Sequence, residues 1–199
     1  MKKRNSGQLC CSCLCCLSGC GENTPAETPA PSAAILSHGD CFVVTEDNSS
    51  GITKYSYTIK DKSGAELESA ICANQPRVAV INDDLLGVRF YVNDKTFCRY
   101  YDLKNGRVSD SFFNAFWDNG KLVAYHDYDN GHRLMVRDMF DENGYYYELD
   151  LDIQALSITV TACEQNEETG DLTVKYTYGD GGTEYSATLP TRAAESQEA

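Results

Sequence analysis

Between about residue 39 and residue 190 the chain alternates apolar and polar side chains with a period of two. Tyr55-Ser56-Tyr57-Thr58-Ile59-Lys60 keeps the alternation strictly, and Val, Ile, Tyr, Phe and Thr supply most of the apolar positions elsewhere. Successive side chains of a strand point to opposite faces, so this pattern predicts half-buried β-strands. Predicted strands include 42–45, 55–60, 77–81, 86–92 and 96–101, and 66–72 reads as a strand as well. Between them lie turn signals: Asn82-Asp83-Asp84, Asn93-Asp94-Lys95, Asp118-Asn119-Gly120, Asp129-Asn130-Gly131, Glu142-Asn143-Gly144, Thr169-Gly170-Asp171 and Asp180-Gly181-Gly182. Each supplies a residue that adopts positive φ at low cost. No segment sustains a 3.6-residue period over ten residues. The expected fold class is all-β and antiparallel.

The strands are ordered into repeats. An Asp-to-Gly loop follows a strand at Asp61-Lys62-Ser63-Gly64, at Asp102-Leu103-Lys104-Asn105-Gly106, and at Asp138 through Gly144. Aligned on Asp102 and Asp138, residues 86–102 match 122–138 strand for strand. The unit recurs every 36 to 42 residues, at about 39–72, 77–111, 114–150 and 156–190. A fixed period of this length points to a repeat architecture. The unit resembles a generic four-stranded propeller blade, without the Gly-His and Trp-Asp signature of WD40 blades or the double glycine of kelch. The resemblance implies a small propeller-like fold. Four units stand at the lower limit for closure, so a β-sandwich or barrel, or a half-propeller completed by a second copy, are the alternatives. A blade lacking a neighbour would expose apolar strands.

The two ends differ from this domain. Met1-Lys2-Lys3-Arg4 is followed by a short polar step, an apolar run from Leu9 to Leu17, and Ser18-Gly19-Cys20. A positive start, a short apolar run and small residues at its end mark a secretory signal. A run of nine residues is far short of the roughly 20 that span a bilayer as a helix. Leu17-Ser18-Gly19-Cys20 resembles the bacterial lipobox. The resemblance covers about the first 20 residues and implies a lipoprotein. Residues 1–19 would be the signal peptide, and Cys20 would carry a covalent diacylglycerol as the mature N-terminus. Cys10, Cys11, Cys13, Cys15 and Cys16 occupy the apolar run, where unpaired thiols act as small hydrophobes. The competing reading is a thiol–metal cluster, but no histidine accompanies them. Residues 20–38 form a tether rich in Pro, Ala, Thr and Glu. Its 17 residues from 21 to 37, at ~3.1 Å each, reach about 50 Å. Residues 191–199 are expected to be a disordered tail.

Charge narrows the partners. The formal net charge is −13, from 17 basic and 30 acidic side chains. That balance argues against nucleic acid and against direct adhesion to anionic headgroups. The expected partner is the membrane, reached through the lipid anchor, with a protein or carbohydrate ligand unspecified. Four cysteines follow the signal: Cys41, Cys72, Cys98 and Cys163. No spacing selects a disulfide pairing, and buried reduced thiols are the simpler expectation.

Candidate chemistry is sparse. His126-Asp127-Tyr128-Asp129-Asn130-Gly131-His132 is the densest polar cluster, and His126, Asp127, Asp129 and His132 are the metal-ligating candidates. A calcium loop needs oxygen ligands at alternate positions and a closing glutamate. Here Asn130 falls on a spacer position and no glutamate closes the loop, so a tight hairpin with flanking histidines is the preferred reading. The acidic stretch 118–141 and the loop 164–168 are further candidates for calcium, but charge runs in turns are usually solvated faces, and that is the preferred reading. Tyr145-Tyr146-Tyr147, with Tyr125 and Tyr128, could form a sugar-stacking platform, but alternate tyrosines of one strand face opposite ways, and tyrosines that rim the β core are the preferred reading. There is no Gly-x-Ser-x-Gly elbow and no glycine-rich phosphate loop. The expectation is a non-enzymatic binding or interaction module with no catalytic residues and no cofactor beyond the Cys20 lipid. A surface hydrolase or metal-dependent enzyme around His126 and His132, and a structural subunit of an envelope complex, are the alternatives.

Overall fold

The structure is a computed structural model that describes residues 33–93, 95–127, 133–142, 144–151, 158–178 and 182–191. Cys20, the signal segment, the tether up to residue 32, and the tail from residue 192 lie outside the described residues. So do Tyr128, Asp129, Asn130, Gly131 and His132.

Among the described residues sixteen strands form four antiparallel sheets, each a meander in chain order apart from the last short strand of the second. The first sheet holds β1 (Ala34–Gly39), β2 (Phe42–Asp47), β3 (Lys54–Lys60) and β4 (Glu66–Cys72). The second holds β5 (Arg77–Asn82), β6 (Leu85–Val92), β7 (Lys95–Asp102), β8 (Arg107–Val108) and β9 (Phe112–Phe113), the last two both pairing with β7. The third holds β10 (Trp117–Asp118), β11 (Leu122–His126), β12 (Arg133–Asp138) and β13 (Tyr146–Asp150). The fourth holds β14 (Ile158–Gln165), β15 (Leu172–Tyr178) and β16 (Tyr185–Leu189). Each expected repeat is one sheet. The strands begin at Ala34, five residues before the expected domain start, so residues 34–38 of the span read as tether, His38 included, belong to β1.

The turns explain the repeated polar residues. After the third strand, an aspartate side chain accepts backbone N–H groups two to four residues on. Asp61 takes Ser63 (2.8 Å) and Ala65 (2.9 Å), Asp102 takes Lys104 (3.2 Å) and Asn105 (3.0 Å), and Asp138 takes Phe140 (3.0 Å). After the first strand an asparagine does the same: Asn82 for Asp84, Asn119 for Lys121 and Leu122, Asn166 for Glu168 and Thr169. Such side chains imitate a backbone turn and fix where the strand reverses. Gly106 closes its loop at φ 65°, a conformation glycine adopts without Cβ strain.

The sheets stack face to face in chain order through three apolar seams. Val44, Tyr57 and Ile59 meet Leu86, Val88, Tyr101 and Leu103 between the first and second sheets. Leu85, Cys98, Tyr100 and Phe112 meet Val123 and Met139 between the second and third. Ala124, Leu134, Val136 and Leu151 meet Ile158, Leu172, Val174, Tyr176 and Leu189 between the third and fourth. The inner sheets are therefore covered on both faces, and their central strands read as continuous buried runs, Leu85–Val88 and Leu134–Val136. The outer sheets keep the alternating pattern, as in β3 and β15.

Outer faces of the stack carry hydroxyls. On the first sheet Thr45 pairs with Ser56 (2.7 Å) and Thr58 with Ser69 (3.1 Å), although Ile35 and Ile71 are exposed beside them. On the fourth, Thr159 opposes Thr177, Thr173 opposes Thr188 and Lys175 opposes Ser186. Repeat arrays stay soluble by giving terminal units a polar outer face. The hydroxyls make the outer faces largely polar, while Ile35, Leu36 and Ile71 stay exposed on the first sheet. Among the described residues no apolar cluster joins the first sheet to the fourth, and no sheet closes into a barrel, which sets the barrel alternative aside.

One part of the repeat alignment needed shifting. Leu85 pairs with Asp102 just as Leu122 pairs with Asp138. Leu85, not Leu86, is thus the counterpart of Leu122. Leu86 packs toward the first sheet and Leu85 toward the third, and one residue of slip exchanges those faces.

A polar clamp crosses the first seam. The Glu68 carboxylate accepts the hydroxyls of Tyr57 (2.7 Å) and Tyr101 (3.0 Å), and Arg99 Nη1 lies 2.7 Å from both of its oxygens. Burial alone would raise the Glu68 pKa, but the bonds from Arg99, Tyr57 and Tyr101 hold it below the ordinary glutamate value.

Candidate ligand-binding cleft

A cleft of about 300 Å³ opens between the second sheet and the edge of the third. Its origin lies in side-chain size. On the face of the second sheet that looks toward the third, the ladder places Arg77 opposite Arg89, and Ala79 opposite Gly87. Gly87 in turn opposes Tyr100, and Arg89 opposes Cys98, on β7. Ala79 and Gly87 are too small to reach the neighbouring sheet there. β10, the first strand of that sheet, is only two residues long and leaves the gap uncovered. A Cβ added at Gly87 would sit 3.4 Å from Ile81 Cδ1 and 3.5 Å from Tyr100 Cε1, ordinary contact distances. Gly87 thus has room for a Cβ seated against Ile81 and Tyr100, with which it lines the cleft.

Ala115, Phe116, Trp117 and Asp118 form the opposite wall. Trp117 opposes Ala124, and Phe116 and Trp117 also pack against the seam between the third and fourth sheets. Asp118 has the opposite parity and turns toward the second sheet, where its Oδ2 accepts the Tyr100 hydroxyl at 3.3 Å. Burial raises the Asp118 pKa, partly offset by the Tyr100 hydroxyl, the Gly120 amide and the charge of Arg89. Burial and the adjacent Cys98 and Asp118 push the Tyr100 hydroxyl well above its ordinary value, so it stays a donor. At the mouth, Arg77 and Arg89 are exposed. Arg89 donates one long hydrogen bond, 3.5 Å, to the Ala115 carbonyl. The cleft therefore joins an apolar floor, two cations at the rim and one hydroxyl–carboxyl pair inside. Sites for small molecules have this make-up: mostly apolar walls with a few converging polar groups.

The residues proposed from sequence fall elsewhere. His126 is buried on β11, 3% exposed, its ring stacked on Phe113 with centroids 5.6 Å apart. The Asp127 backbone N–H donates to the Arg133 carbonyl at 3.1 Å, continuing the hairpin. Asp129 and His132 lie outside the described residues. Among the described residues no group of three His, Cys, Asp or Glu side chains is arranged to hold a metal. The tyrosine platform is divided as strand geometry requires: Tyr145 and Tyr147 pack toward the fourth sheet, with the Tyr145 hydroxyl donating to the Pro190 carbonyl (2.6 Å), while Tyr146 is exposed and bonds Glu148 (2.8 Å). Cys41, Cys72, Cys98 and Cys163 are all unpaired thiols.

Sequence reasoning did not single out Arg77 or Arg89, and it named Asp118 only as part of a turn and of the acidic stretch 118–141. A signal was present. Val78 and Val80, like Leu86 and Val88, form one apolar face, which leaves Arg77, Ala79, Gly87 and Arg89 together on the other once 82–84 is read as a hairpin turn. No protein-family model matches the chain, and no curated protein matches its sequence.

Proposed function

We propose that this chain is a lipid-anchored extracytoplasmic protein whose four-sheet domain is a non-enzymatic ligand-binding module. The observation that carries the binding reading is the cleft between the second and third sheets, where an apolar floor meets two arginines free of ion pairs among the described residues. The anchor reading is supported by Leu17-Ser18-Gly19-Cys20 behind a positive, apolar N-terminus. An acyl pair on Cys20 would hold the protein stably, where a single chain binds only marginally. The tether would then lift the domain clear of the headgroups, leaving the cleft open to solutes on the outer side.

Two measurements test the two halves separately. In the lipidating host, wild-type protein incorporates labelled fatty acid and Cys20→Ser does not, accumulating instead as the longer precursor. A serine variant that is still labelled and shortened would refute the anchor. For the cleft, filling the floor with Gly87→Leu abolishes binding of any small molecule seated there while the far-ultraviolet β signal is kept. Ligand binding that survives the substitution would refute the site.

A further inference from the structure

Arg77 and Arg89 occupy directly opposed positions on adjacent strands. Like charges placed so repel, and the sheet gains no stability from them. The chain is rich in acids that could relieve them. Other arginines of the domain find such partners: Arg99 has Glu68, Arg107 has Asp102 and Glu142, Arg133 has Glu148, and Arg137 has Asp110 and Asp141. Arg77 and Arg89 make no such direct ion pair among the described residues, although the charge of Arg89 is felt by Asp118 across the cleft. They stand instead at the rim of the cleft, over the Ala79–Gly87 floor.

Resting on the ligand-binding reading above, we infer that this pair and floor form a site for a small monocarboxylate with a compact apolar body. The carboxylate spans the two guanidinium groups, and the body lies over Ala79, Gly87 and Ile81. Guanidinium forks match the planar, two-oxygen geometry of a carboxylate. The apolar floor rewards a hydrocarbon body. The cleft volume of about 300 Å³ limits the ligand to a small molecule. Asp118, at the inner wall, selects against a second negative charge on the ligand. The groups facing the bound anion are Arg77, Arg89, Cys98, Tyr100 and Asp118.

Trp117 is the sole tryptophan of the chain and lines the cleft, so its emission reports occupancy. The test titrates the full-length chain with benzoate, with benzamide as its neutral isostere, and with inorganic phosphate. Benzoate is expected to change Trp117 emission saturably in the millimolar range, with the other two about tenfold weaker or more, the weight of one charge-assisted contact. Arg77→Gln and Arg89→Gln each weaken benzoate about tenfold and, by relieving the repulsion, leave the unfolding temperature equal to or above that of the wild type. Arg77→Lys retains the charge and part of the affinity. Equal binding of benzamide and benzoate would overturn the carboxylate inference and leave the ligand-binding reading standing. Phosphate binding tighter than benzoate and lost in the same variants would overturn the choice of anion. Silence toward all three probes in the folded protein would overturn both readings of the cleft.

Discussion

Removing the Glu68 side chain should unlock the first seam of the stack. Glu68→Ala deprives two buried hydroxyls of their acceptor: Tyr57 is 2% exposed and Tyr101 0%. The hydroxyls are 3.4 Å apart and can satisfy each other once, leaving one orphaned group at a cost of about 1–3 kcal/mol. Arg99 loses its carboxylate partner but keeps Ser111, and its side chain is 30% exposed, so its share is about 1 kcal/mol. Together with lost methylene contacts, the expected destabilisation is about 3 kcal/mol, roughly 6–12 °C in the unfolding temperature of a domain this size. Glu68→Gln keeps the shape and one acceptor oxygen and should cost about half as much. The pH dependence follows from the lowered pKa of Glu68. A carboxylate held below its unfolded value stabilises the fold above that value, and the contribution fades as pH falls through its folded pKa. The gap between wild type and Glu68→Gln should therefore be full at neutral pH and narrow below the ordinary glutamate value of 4.5. Urea denaturation of the full-length protein at a series of pH values measures it. A loss under about 1 kcal/mol for Glu68→Ala, or a Gln gap that widens in acid, would refute the clamp.

Other consequences are equally direct. Leu134, wholly buried in the third seam, should cost about 2–5 kcal/mol when cut to alanine, against less than about 0.5 kcal/mol for the exposed Ile71→Ala, as measured by denaturant midpoints. Asp118→Asn should stabilise at neutral pH. An acid whose folded pKa is raised loses stability as pH climbs from its ordinary value of 3.8 to its folded pKa, and the amide has no such loss, so the variant's advantage grows across that window and then levels off. Burial pushes the Cys163 thiol up to about 11, so at neutral pH it should react with a thiol reagent far more slowly in the folded protein than in denaturant, where Cys41, Cys72, Cys98 and Cys163 should all titrate as free thiols. Fewer free thiols among these four would place disulfides where the structure has none.

Local chemistry made the fold class readable. Period-two alternation, the Asp residues at 61, 102 and 138, and the Asn residues at 82, 119 and 166 act within a few residues of themselves, through side-chain hydrogen bonds to their own turns. The strands, their meander order and the four-unit repeat were therefore written in sequence. The order of the seams was not, because it depends on which face of each sheet meets which neighbour. A bulge in β5, where the register shifts between Val80 and Asn82, decides face by a single residue, and a period count does not see it. The same limit hid the cleft. Arg77 and Arg89 are twelve positions apart in the chain and become neighbours only through the β5–β6 ladder, and the gap beside them exists only because β10 is short and the Ala79–Gly87 rung has no bulk. The His126–His132 cluster stood out for the opposite reason: it is dense along the chain, whereas the fold buries His126 against Phe113. What the sequence by itself determined was the strand, the turn and the repeat, since these are set by neighbours in the chain. Pairing and packing between distant segments decided where apolar surface was covered, where it was left open, and which charges came to stand together at the opening.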